Sequence, residues 1–170
     1  MNMPESVWEL LHELFETDDG SLPDICIRNV SSEGVVRIWN SLRDHSSGFA
    51  GEATLWHDGE GQRLDVNSVE NAADLVISGE AEPFHVVLRG VSFEDTSIPD
   101  LGVFVFLDEV DLDYRKGPEW SRSGVEALLR LLIMLRGLAP DCEVVLPQEY
   151  LPEFRNQFSK ALSMSMGDTA

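Results

Sequence analysis

With 31 Asp plus Glu against 12 Lys plus Arg, this 170-residue chain carries a formal net charge of −19. A surplus of that sign argues against sequence-independent binding to nucleic acid, which needs a basic surface to displace phosphate counterions, and disfavours docking on anionic lipid. It suits a basic protein partner, because opposite potentials steer encounter and fix orientation.

The length predicts one domain spanning 1–170, and 43% hydrophobic with 25% charged residues is a globular composition. The opening MNMPESVWELLHELFE has no basic n-region and no continuous apolar run, so no signal peptide is expected and the compartment is read as cytoplasmic. Val125 to Leu135, the longest greasy stretch, is interrupted by Arg130 and is too short for a bilayer span.

Ser6 and Glu9 stand at capping-box spacing before Val7, Trp8, Leu11, Leu14 and Phe15, which recur with helical period; TDDG at 17–20 stops this first helix. Ile25 to Val30 reads as a short strand. Val35, Val36, Trp39 and Leu42 predict a second helix capped by Ser31 or Ser32. HSSGFAG is expected as a loop, followed by a hairpin of 53–57 with 63–66 around DGEG. Ser68 is expected to cap a short helix carrying Ala72, Ala73, Val76 and Ile77, with Gly79 as its left-handed stop.

Phe84 to Val91 and Gly102 to Leu107 read as strands, and Val110 to Tyr114 as an alternating strand after a turn near Asp108. A long helix follows from about Trp120 to Arg136, with Ser123 and Glu126 at capping-box spacing and Gly137 at its end. Its apolar residues run almost all round, which demands that neighbours cover it. Glu143 to Leu146 is a last strand and Glu149 to Leu162 a last helix, broken early by Pro152, with 163–170 frayed. Interleaved helices and strands without a βαβ rhythm predict an α+β fold: a mixed or antiparallel sheet packed against the long buried helix.

The densest polar cluster is LDEVDLDYRKGPEW at 107–120. On an extended strand Glu109, Asp111 and Asp113 project from one face, and Val110, Leu112 and Tyr114 from the other. Three carboxylates in a row could hold a hard cation, but the EF-hand pattern fails, with Tyr114 where Gly belongs and Trp120 where Glu belongs. The competing readings are a solvated face, offset by Arg115 and Lys116, and an acidic partner-binding patch. His12, His45, His57 and His85 show no metal spacing. Cys26 and Cys142 lie far apart in apolar segments and read as buried small hydrophobes, with a long-range disulfide as the minor alternative. No phosphate loop or nucleophile motif exists, so no catalytic residue, metal or cofactor is assigned.

The segments FHVVLRGVSF, LGVFVFLDEVDLDYRKGPEWS and VEALLRLLIML, with the turn formed by Asp113, Tyr114, Arg115, Gly117 and Trp120, resemble immunity proteins of bacterial polymorphic toxin systems. The likeness covers residues 84 to 137. It implies a small non-enzymatic α+β protein that neutralises one cognate toxin, here a basic and cytoplasm-acting one, by binding it. The alternatives are an acidic adaptor with another protein partner, and an enzyme using Asp111, Asp113 and His85 with a metal. On the immunity reading Asp108, Glu109, Asp111, Asp113 and Glu119 line the toxin-facing surface, with Tyr114 or Trp120 as aromatic anchor. The 92–100 loop, with Glu94, Asp95 and Asp100, is the second candidate surface.

Overall fold

The computed structural model describes residues 5–167. In chain order the elements are α1 (Val7–Leu11, continued by a 3-10 turn), β1 (Asp24–Arg28), α2 (Ser32–Asp44), β2 (Gly48–Phe49), β3 (Thr54–His57), β4 (Gln62–Asp65) and α3 (Ala72–Ile77). Then come β5 (Phe84–Arg89), β6 (Val91–Phe93), β7 (Thr96–Ile98), β8 (Leu101–Val105), β9 (Val110–Tyr114), α4 (Arg122–Gly137), β10 (Glu143–Val145) and α5 (Pro152–Gly167). The fold is α+β, as expected, and the sheet is wholly antiparallel.

Six strands form the main sheet in the order β10-β1-β9-β8-β5-β2, and two hairpins, β3–β4 and β6–β7, stand apart from it. The hairpin β8–β9 sits at the centre because β1, far away in sequence, inserts between β9 and β10. Strand alternation then decides the layers. Ile25, Ile27, Val86, Leu88, Val103, Val105, Val110 and Leu112 are buried with the inward residues of the helices in one continuous core. Of the opposite alternates, Asp24, Arg28, His85, Val87, Phe104, Asp111 and Asp113 are half-buried or exposed while Cys26 and Gly102 are buried, so the helix layer covers one face and leaves most of the other open.

Helix α4 is buried through Val125, Leu128, Leu129, Leu131, Leu132 and Leu135. Its neighbours are α1, α5, the β6–β7 hairpin and β10, and its apolar side chains share the core with Val103 and Val105. Ser41 of α2 reaches Met134 of α4, and Trp39 of α2 meets the Phe84 ring edge-on at 5.1 Å, which places both helices on the same side of the sheet. Among the described residues no helix is long and apolar enough to cross a membrane.

Several local expectations change. The Ser6–Glu9 capping box and the Ser31 cap form as expected, and Gly79 takes φ +80°. Helix α3, however, is capped by Asn71, whose side chain accepts from the Asp74 N–H; Ser68 ends a preceding 3-10 turn. Helix α4 is capped by Ser121, which accepts from the Gly124 N–H at 3.0 Å, so the Ser123–Glu126 box is absent. Pro152 begins α5 instead of breaking a helix, since its missing N–H is one that a first helical turn leaves unpaired. That helix runs to Gly167 with Ser165 buried, so 163–167 is not frayed; 168–170 lie outside the described residues. Gly48 and Phe49 of the expected HSSGFAG loop pair with β5. Both cysteines are buried free thiols.

Candidate functional site

Cross-strand register assembles the open face from five strands. Val145, Cys26, Asp111, Phe104 and His85 form one row, and Asp24, Asp113, Gly102 and Val87 the next. Glu143 lies opposite Arg28 on the same face. Glu109, Asp111 and Asp113 therefore do share a side, as the alternation predicts, and they occupy the middle of the sheet.

The face is not simply solvated. Asp113 bends over Gly102, where any Cβ would collide with its carboxylate, and its Oδ2 lies 2.6 Å from Nε2 of His85, two strands away. Asp111 is half-buried, and its Oδ1 has no hydrogen-bond partner. Burial first, and then the Glu109 carboxylate beside it, push its pKa up to about 7. The Cys26 thiol is pushed up to about 12, chiefly by burial and then by Asp111, so it is held protonated and is a poor nucleophile.

Cys26, Glu109 and Asp111 offer a sulfur and two carboxylate oxygens within 4.8 Å of one another, a donor set suited to a borderline cation such as zinc. Arg28 already stands against it, with Nε 3.4 Å from Glu109 and Nη2 3.8 Å from Cys26. The Arg28 guanidinium thus already places a positive charge beside Glu109 and Cys26, and the group is read as a structural cluster.

The expected aromatic anchors are corrected. Tyr114 is 3% and Trp120 2% exposed. Tyr114 stacks on Phe15 at 4.5 Å and meets Trp120 edge-on at 5.2 Å. The Tyr114 hydroxyl donates to the Leu14 carbonyl at 2.9 Å, and the Trp120 indole N–H to the Arg115 carbonyl at 2.9 Å. These rings fasten the 115–120 turn to the first helix; neither is available to a partner. Arg115 and Lys116 do not offset the strand carboxylates, because they pair with Asp18 and Asp19 at 2.9 and 3.1 Å.

The other candidates scatter. Asp108 is exposed in the β8–β9 turn, where its carbonyl accepts from the Val30 N–H. The expected 92–100 loop is mostly the β6–β7 hairpin, with Glu94 and Asp95 as its two-residue turn at φ 49° and 63°. Glu94 pairs with Arg130 of α4 at 3.2 Å, whereas Asp95 is exposed. Asp100 and Glu119 are exposed and meet across a cleft of about 630 Å³, bounded also by Asp18, Pro99, Arg115 and Pro118. Structure thus brings together Glu109, Asp111 and Asp113 as one group and Asp100 with Glu119 as another.

Phe104 and Phe106 are the side chains that sequence reasoning passes over. They lie on the open side of β8, half-buried, with rings stacked at 4.6 Å and 7°. In GVFVF both faces of the strand are apolar, so alternation carries no contrast to mark them; only the neighbouring carboxylates at matching register would.

No protein-family model matches the chain, and no curated protein and no solved structure matches it either.

Proposed function

We propose that this chain is an immunity protein of a bacterial polymorphic-toxin system. It holds a basic toxin domain in a stoichiometric complex and occludes the toxin's active site in the cytoplasm. One observation carries this reading: Asp24, Glu109, Asp111, Asp113 and Glu143 share a sheet face that no helix layer covers. Arg28 and Arg89 are the arginines of that face, so carboxylates outnumber them. An open acidic surface on a chain of net charge −19 attracts a basic cleft and can stand in for the anion such a cleft binds. The resemblance of residues 84 to 137 to immunity proteins supports the same reading.

The test is co-expression with the basic domain encoded beside this chain. Growth should be restored, and the two proteins should elute together at equal stoichiometry, with an association rate that falls as salt rises. Persistent growth inhibition without a complex on a sizing column would overturn the proposal.

A further inference from the structure

We infer that the β5–β8–β9 part of the open face receives arginine side chains of a basic partner. A guanidinium lies on the Phe104–Phe106 stack and pairs with the carboxylates beside it, and a lysine ammonium is accepted less well. For the identity of the partner this rests on the neutralisation reading; the chemistry of the surface stands on the following contacts.

The two rings stack face to face on the open side of the sheet, where β8 leads into the β8–β9 turn, so a guanidinium meets an outer face or the edges of the stack; Leu107, in that turn, is 58% exposed. Each ring has a carboxylate at its side. Phe104 stands opposite Asp111 in register, and the Phe106 N–H donates to the Glu109 carbonyl at 2.9 Å, which sets those two residues side by side. On the other flank His85 lies 5.4 Å from the Phe104 ring and holds Asp113 over Gly102. The ring stack is therefore bordered by Glu109 and Asp111 along one side and by the His85–Asp113 pair at its end.

A planar guanidinium stacks on an aromatic ring and donates in-plane to a carboxylate at the same time. A compact ammonium is more strongly hydrated and cannot do both equally well. The chain itself uses both halves of this arrangement. Arg28 donates to Glu109 from the β1 side of the same face, and Arg43 sits 4.3 Å over the Phe49 ring elsewhere. A second copy of this chain would bring like charge to the face, so a basic partner is the committed occupant.

The probes are two short amidated peptides, acetyl-Gly-Arg-Gly-Arg-Gly and acetyl-Gly-Lys-Gly-Lys-Gly, titrated into the whole chain and followed by backbone and aromatic NMR. The arginine peptide should shift Phe104, Phe106, Glu109 and Asp113. It should bind about three- to five-fold more tightly than the lysine peptide, the preference an exposed cation–π contact provides. Phe106→Ala and, separately, Phe104→Leu should bring the two peptides to parity, with thermal unfolding confirming that each variant is folded. Equal affinities in the parent chain would overturn the inference. So would shifts centred on the Asp100–Glu119 cleft, or dimerisation through this face. In the toxin assay, neutralisation that survives both Phe variants sinks the inference and spares the immunity reading. Arginine-selective seating in a chain that never binds the toxin does the reverse.

Discussion

Asp113 reaches His85 by passing over Gly102: the carboxylate of β9 and the imidazole of β5 meet at 2.6 Å above the one residue of β8 that has no side chain. Gly102→Ala should push Asp113 aside and separate the pair while leaving the strand intact. Because the His85 and Asp113 side chains are 37% and 20% exposed, the pair itself is worth under about 1 kcal/mol. The double-mutant cycle of His85→Gln with Asp113→Asn should give a coupling of that size, and Gly102→Ala should abolish it. A coupling that persists in the Gly102→Ala background would show that the close approach is not what sets the geometry.

Tyr114 and Trp120 should matter to folding and not to recognition. Tyr114→Phe removes the donor to the buried Leu14 carbonyl and should cost about 1–3 kcal/mol. Trp120→Ala opens the aromatic cluster against Phe15 and should cost about 3–5 kcal/mol. Urea unfolding measures both. A loss of partner binding by Tyr114→Phe at unchanged stability would return this ring to the interface.

Asp111 makes stability depend on pH with a defined sign. Its folded-state pKa of about 7 lies above the ordinary 3.8, so between those values the folded chain keeps a proton that the unfolded chain releases. Stability therefore falls as pH rises from about 4 towards 7, and the penalty is complete above that. Asp111→Asn should flatten this slope and stabilise the protein at pH 8 by on the order of 1 kcal/mol. Thermal unfolding from pH 4.5 to 8.5 reads it, and an unchanged slope in the variant would assign the effect to another group.

The start of α4 offers a local check. Ser121→Ala loses the acceptor for the Gly124 N–H and should cost about 1 kcal/mol. Ser123→Ala, two residues further on, loses only an exposed contact with the Ser121 hydroxyl at 3.1 Å and should cost little. Equal losses would mean that the cap is not the source.

Helices and layers were legible where local chemistry is decisive. Ser6 with Glu9, Ser31 and Gly79 mark their boundaries through bonds made within a few residues. The strict alternation of Val110, Leu112 and Tyr114 against Asp111 and Asp113 foretold the two faces of β9, and by the same rule already placed Tyr114 inside. What sequence could not supply was long-range. Nothing in Asp24–Arg28 says that it will insert beside β9 and turn an acidic strand into a central, half-buried one. Nothing in Phe104 or Phe106 separates an inward ring from an outward ring while Val103 and Val105 are equally apolar. Ser68, Ser123 and Pro152 each offered a helix signal whose meaning depended on where the helix began.

The main sheet ends in strands of only two and three residues, Gly48–Phe49 and Glu143–Val145. Such stubs give a visiting chain almost no ladder to extend, and Glu143 adds a like-charge deterrent to acidic newcomers. A partner of the open face would consequently read side chains standing up from the sheet instead of zipping main chain to these border strands. On the neutralisation reading, selectivity would then reside in a handful of exchangeable groups, which can be retuned one substitution at a time without rebuilding the scaffold.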